Sequence, residues 1–275
     1  MPTVLIVEDD RAAREGLSQL LSAKGVDVTA ADDGAEALAR LDEQAFDLML
    51  LDVWMPQISG LDLLERLHVK PSAPKVIVMT ADDTPETLLM TLRRQAHQFV
   101  RKPVDPKALL DLVHHTVSSP AVEPAIIVLS ARPAWIELLV SCGHEVADRI
   151  QSYIVNLDVD LPKEIRETMG TVFRELLLDA MEWDGHLDPS RKVRIAYLRG
   201  KKMLMYRIAD AGSGFRSSDR RTPSPATAHA KANGAGNGAG ASGLLRPGAV
   251  LARAQADDLL VNETRTEVAV VKYLD

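Results

Sequence analysis

Five short apolar runs set the architecture of the first half of this chain: VLIV at 4–7, VDVTA at 26–30, FDLMLL at 46–51, KVIVM at 75–79 and QFV at 98–100. Segments of helical period separate them, near 11–23, 34–43, 60–68 and 86–96, and a fifth, DPKALLDLVHHTV, begins after Pro103. Runs that are apolar on consecutive residues belong to strands buried on both faces. Alternating strands and helices predict a parallel sheet with helices on both sides. The spacing therefore predicts a doubly wound α/β domain over residues 1–118, ahead of a segment SSPAVEP at 118–124 whose two prolines break the pattern. Residues 119–124 read as a linker.

The pattern changes beyond it. IIVL and WIELLV read as strands, EVADRIQSYIVNL and PKEIRETMGTVFRELLLDAMEW as long amphipathic helices, and KVRIAYL with MLMYRIA as an antiparallel hairpin turning at Arg199–Lys201. A last helix near 247–257 and strands LLVN and EVAVVKYL close a second α/β domain over 125–275. Between Gly212 and Gly248 the chain is dominated by Gly, Ala, Ser, Thr and Pro, too poor in large apolar groups to offset its ordering entropy. A mobile loop is expected there.

Composition narrows the function. A net charge of −7 and a pI near 5.5 argue against electrostatic capture of nucleic acid, which needs basic surface. A single cysteine, Cys142, allows neither an internal disulfide nor a cysteine metal cluster and fits a reducing compartment. The N-terminus MPTVLIVEDD reaches charge too soon for a signal peptide, and no run is long enough to span a bilayer. A cytoplasmic protein without membrane attachment is expected.

Glu8, Asp9 and Asp10 follow the first strand and Asp52 follows the third. In an open parallel sheet these positions converge at the carboxyl edge, where ligands bind. Clustered carboxylates repel one another unless a cation lies among them, and a hard ion such as Mg²⁺ suits an all-oxygen set. Thr80 ends the fourth strand, and Lys102 lies between the fifth strand and Pro103, so a hydroxyl and an ammonium share that edge. Such groups orient a transferred phosphoryl group and stabilise its charge.

In order and spacing, VEDD, LLDVWMPQISG, MTADD and RKP resemble the receiver domain of two-component response regulators over residues 1 to about 118. The resemblance implies a flavodoxin-like sheet in the order 2-1-3-4-5 and phosphorylation of Asp52 by an upstream histidine kinase or a small phosphodonor. It implies that Glu8 and Asp9 help hold Mg²⁺ with Asp52, that Thr80 contacts the phosphate and that Lys102 pairs with it. Phe99 falls at the family's aromatic switch position, and Trp54 is a candidate shield for the aspartyl phosphate or a partner contact.

In the second domain, FRELLLDAMEW places Phe173, Leu176, Leu177, Ala180 and Met181 on one apolar face. Glu175 and Asp179, four apart, are neighbours on the helix, mildly destabilising unless a cation or ligand compensates. Asp210 precedes Gly212 and Gly214, glycines that let a backbone approach a ligand closely. This helix, the DxGxGF turn, the Gly-rich loop and the following helix together resemble the ATP-binding fold of histidine kinases, gyrase and, closest, anti-sigma serine kinases. The resemblance implies a two-layer sandwich in which Glu175 is the catalytic or water-positioning acid, Asp210 binds adenine, and 216–247 is the ATP lid. Two positions depart from that pattern: Asp179 stands where the family carries a metal-binding Asn, and Gly248 alone represents the second glycine box. His144 opens a helix without the histidine-kinase phosphoacceptor surroundings, and His114, His115 and His186 have no partners at metal-ligand spacing.

The expected function is a response regulator whose phosphorylated Asp52 controls a kinase-like ATPase domain acting on an anti-sigma-type protein partner. The alternative is a nucleotide-free domain that only docks a partner. Oligomeric state is left open, a homodimer included.

Overall fold

The computed structural model describes residues 1–67, 73–82, 84–118, 126–132, 134–157, 160–209, 246–262 and 266–274. The linker 119–124, Asp210, Gly212, Gly214 and all but the last two residues of the expected lid lie outside them.

The first sheet comprises β1 (Thr3–Val7), β2 (Asp27–Ala31), β3 (Leu48–Asp52), β4 (Lys75–Thr80) and β5 (Gln98–Arg101), all parallel in the order β2-β1-β3-β4-β5. Successive side chains point to opposite faces, so the continuous apolar runs feed two cores. Val4, Ile6, Leu48, Leu50, Ile77 and Met79 pack with Leu21 of α1 (Arg11–Ser22) and Leu109 and Val113 of α5 (Pro106–Ser118). Leu5, Val7, Met49, Leu51, Val76 and Val78 meet α2 (Gly34–Glu43), α3 (Gly60–Leu67) and α4 (Pro85–Arg93). Capping fixes the helix starts: Asp10, Asp33 and Thr84 accept from the amides of Ala13, Glu36 and Thr87.

The second sheet is antiparallel, ordered β10-β11-β9-β8-β7-β6. Its strands are β6 (Ile126–Arg132), β7 (Trp135–Ser141), β8 (Lys192–Gly200), β9 (Met203–Ala209), β10 (Asp258–Val261) and β11 (Glu267–Tyr273). α6 (His144–Leu157) and α7 (Lys163–Asp179) pack on it, and α8 (Pro247–Gln255) lies against α7. All five apolar residues expected on the α7 face are buried, with the Phe173 ring 5.1 Å from that of Tyr206. The predicted single helix through Trp183 instead changes at Ala180 into a π-helical turn, Ala180–Asp184, ending at Gly185. A side chain at Gly185 would strike the Cys142 sulfur, so the turn packs tightly on the end of β7. Burial pushes the Cys142 thiol up in pKa, which keeps it protonated and unreactive.

The two sheets share one apolar core. Leu92 of α4 enters a pocket otherwise lined by Ile136, Leu138, Ile150, Tyr153 and Ile154 and their neighbours from the second sheet and α6. Polar contacts frame it: Arg93 donates to the Ala131 carbonyl at 2.7 Å, Gln95 to that of Ile126 at 3.3 Å, and Arg149 and Tyr153 both to that of Ala96, at 2.7 and 3.0 Å.

At this seam His97 accepts from the Val76 amide at 3.3 Å through Nδ1. Burial, then the charges of Arg149 and Lys75, hold its pKa down to about 3. An unfolded chain takes up this proton below about pH 6.5, whereas the folded one refuses it until about 3. Stability from this group is therefore intact above about pH 6.5 and falls as pH drops through the window. Between pH 7 and pH 5 the loss is about 2 kcal/mol at 1.36 kcal/mol per unit. Urea unfolding of His97→Gln at the two pH values should show a pH dependence smaller by about that amount. An unchanged slope would exclude His97 as its source.

Candidate functional site

The carboxyl edge of the first sheet gathers the predicted acids. Glu8 directly follows β1, its amide bound to the Ala31 carbonyl, and is 1% exposed. Asp52 is the last residue of β3, not the residue after it, because it still pairs with Met79 of β4. Carboxylate oxygens of Glu8, Asp9 and Asp52 lie within 4.8 Å of one another. Asp10 is diverted, its carboxylate capping α1. Gly60 brings α3 against the end of β3, since any Cβ there would overlap the Asp52 carbonyl oxygen.

Lys102 reaches into the cluster, its Nζ 2.6 Å from Glu8 Oε2 and 2.7 Å from Asp52 Oδ2. Burial pushes the Glu8 carboxyl above its ordinary range, the bond from Lys102 only partly offsets this, and the Asp52 charge adds to the rise. Burial alone would lower the Lys102 ammonium, but its bonds to Asp52 and Glu8 outweigh that and raise it. One ammonium thus bonds two of the three clustered carboxylates, and the excess negative charge on hard oxygen donors fits a divalent cation such as Mg²⁺. Such an ion supplies charge neutralisation for an incoming phosphoryl group.

Thr80, fully buried, ends β4 and accepts from the Asp82 amide at 3.1 Å; the Lys102 amide donates to its carbonyl at 2.8 Å. The Trp54 amide donates to Asp52 Oδ1 at 3.3 Å, while its ring stays 57% exposed. Burial pushes the Asp82 carboxyl up, but the bonds it accepts from the Thr84 amide at 2.9 Å and the Thr87 hydroxyl at 2.7 Å outweigh that and lower its pKa. Phe99 is buried in the β5 core. Sequence reasoning passed over Arg14, which holds the acidic loop by donating to the carbonyls of Glu8 and Asp9 at 2.6 and 3.2 Å. An arginine on a solvated helix carries no signal of that role.

In the second half, Glu175, Asp179 and Gly248 come together at the seam between α7 and α8. Compensation for the acid pair is internal: Arg174 bonds Glu175 at 2.8 Å and Asp148 at 2.6 Å. Asp179, 7% exposed, accepts from the Gly248 amide at 2.9 Å, capping the start of α8. Burial still raises its pKa, only partly offset by that amide and by Arg246. A Cβ on Gly248 would sit 2.6 Å from the Glu175 carbonyl and 2.7 Å from Asp179 Oδ2, so α8 abuts α7 directly. Arg246 clamps this end by a two-pronged bond to Asp184, at 2.6 and 3.0 Å. His144 is exposed, 3.6 Å from Glu182.

The Response regulator receiver domain family matches residues 4–114. The sensory transduction protein RegX3 of Mycobacterium tuberculosis is 36% identical over 110 residues, 40% of this chain and 48% of that protein. The DNA-binding response regulator MtrA of Mycobacterium bovis is 28% identical over 193 residues, 70% of this chain and 83% of that protein. A response regulator receiver protein structure from Pseudomonas putida aligns at 34% identity and TM-score 0.40, covering 42% of this chain and 96% of that one. The chain spans about half the length of the RegX3 relatives. With the family match falling on the same stretch as the parallel sheet and its acidic edge, residues 4–114 are a response regulator receiver domain of two-component signal transduction.

Proposed function

We propose that Asp52 accepts a phosphoryl group from an upstream histidine kinase or a small phosphodonor, and that the C-terminal domain docked on α4 and β5 reads the result. The observation that carries this is Lys102 bridging Glu8 and Asp52 inside the three-carboxylate cluster. An Asp52 oxygen attacks phosphorus, the phosphorus bond to the donor's nitrogen or oxygen breaks, and the leaving group keeps the electron pair. Lys102 and the Thr80 hydroxyl face the new phosphoryl oxygens, and Glu8, Asp9 and Asp52 hold Mg²⁺. A receiver over 1–118, a linker over 119–124 and an output domain over 125–275 form one cytoplasmic switch.

For the output domain, strand and helix order supports the histidine-kinase-like ATPase sandwich, but one observation favours the nucleotide-free reading. Asp179 commits a carboxylate oxygen to the Gly248 amide at the start of α8, where an anion would otherwise be received. A triphosphate approaching that end would meet a fixed negative charge. We therefore favour a domain that docks a protein of the anti-sigma or sigma-factor-regulating class without phosphorylating it. The acidic net charge supports a protein over DNA as that partner. A thermal-shift titration decides: MgATP should leave the unfolding midpoint where Mg²⁺ alone puts it. The kinase reading requires about 2.7 kcal/mol of stabilisation at a hundredfold excess over Kd.

A further inference from the structure

Two successive carbonyls, those of Glu8 and Asp9, accept from one nitrogen, Arg14 Nη1, at 2.6 and 3.2 Å. In extended backbone neighbouring carbonyls point to opposite sides of the strand, so a single donor does not reach both. The shared donor therefore marks a turn where β1 gives way to the acidic loop. That turn has a consequence for the side chains. Those of Glu8 and Asp9 would diverge in a strand, yet their carboxylate oxygens lie within 4.8 Å of one another and of Asp52. The loop is also held on either side, by the Glu8 amide on the Ala31 carbonyl at 3.2 Å and by the Ala13 amide on the Asp10 carboxylate at 2.7 Å. Arg14 ties the stretch between these two bonds. Charge does not account for an arginine at this place. α1 opens with Arg11 and has no acid in its first turn, and a cation near a helix N-terminus is unfavourable. A guanidinium beside a divalent-cation site also repels the cation. The bonds to the two carbonyls offset both effects.

We propose that Arg14 is a positioning residue for the Mg²⁺ site. By holding the Glu8 and Asp9 carbonyls it keeps the two carboxylates converged on the point they share with Asp52 before any cation arrives. Binding then does not have to order the loop, and that saving appears as affinity. Groups that orient metal ligands without touching the metal typically contribute about tenfold to hundredfold in affinity. The inference rests on Glu8, Asp9 and Asp52 being the cation site.

The test is calorimetric titration of Mg²⁺ into the full chain, as wild type, Arg14→Met and Arg11→Met. Arg14→Met keeps an apolar stem but removes both the donor and the charge. Arg11→Met removes a charge from the same helix end, where Arg11 bonds Glu15 at 2.7 Å and lies outside the clamp. Loss of a repelling cation by itself would tighten Mg²⁺ binding, whereas loss of the clamp weakens it, so the two roles differ in sign. Arg14→Met should bind roughly tenfold to hundredfold more weakly than wild type, and Arg11→Met as tightly or slightly tighter. Should Arg14→Met not fold, Arg14→Gln, whose shorter stem does not span to both carbonyls, carries the same expectation of weaker binding. Arg14 variants that bind at or above the wild-type affinity, or an Arg11→Met variant that loses as much, would overturn the proposal. Wild type that takes up no Mg²⁺ would overturn the cation site itself, and this proposal with it.

Discussion

Replacing Lys102 by methionine is expected to destabilise the metal-free protein by roughly 2–4 kcal/mol and to make its stability strongly magnesium-dependent. Methionine keeps the length of the stem but removes the ammonium that bonds both Glu8 and Asp52. Glu8 is 1% and Asp52 6% exposed, so water cannot replace the lost partner, and two like charges are left facing each other. Lys102 itself is 24% exposed at its side chain, which places the cost below that of a fully buried pair. A divalent cation held by Glu8, Asp9 and Asp52 supplies the missing charge. Urea unfolding with and without Mg²⁺ should therefore show the variant recovering most of its loss, while wild type gains less because Lys102 already neutralises part of the cluster. Equal magnesium responses would contradict the assignment of these three acids as the cation site.

Leu92→Ala should cost about 3 kcal/mol, within the 2–5 kcal/mol span of buried leucine truncations, and should split one unfolding transition into two. Leu92 is the receiver's contribution to an apolar pocket otherwise built by the second sheet and α6. With its side chain in place, one hydrophobic cluster runs from Leu5 and Val78 to Phe173 and Tyr206, so the two sheets should melt together. Truncation weakens the part of that cluster where α4 meets the second sheet and α6, leaving each sheet its own core. Calorimetry should resolve the two components. A single transition shifted no more than a surface variant would show the sheets to be energetically independent.

The receiver half was legible because β1, β3 and β4 are buried on both faces and their apolar residues run without interruption. Misplaced ends have local causes. The predicted start of the second strand at Val26 moves to Asp27 because the Val26 amide bonds the Leu21 carbonyl at the end of α1. α4 stops at Arg93 rather than near 96 because Gln95 turns to positive φ and Ala96 bonds back to Thr91. Asp52 was identifiable as the acid at a strand end, but its pairing with Met79 belongs to the register of β4, which the sequence of β3 does not contain.

The second half was less open to reading. Its strands and helices followed from periodicity, yet the hydrogen bond from Gly248 to Asp179 spans 69 residues and converts an expected ligand into a helix cap. Nothing local distinguishes a carboxylate that binds a metal from one that binds an amide. Arg149 and Tyr153 looked like members of an ordinary amphipathic helix, and their shared target at Ala96 lies more than fifty residues away. Contacts of that separation depend on how the two sheets dock, which propensity and period do not encode.

The most direct test of the central claim is the mass of the intact protein after incubation with acetyl phosphate and Mg²⁺, for wild type and for Asp52→Asn. Wild type should gain one phosphoryl group, labile as an acyl phosphate should be, and a folded Asp52→Asn variant none. A phosphoryl group on both proteins, or on neither, would contradict it.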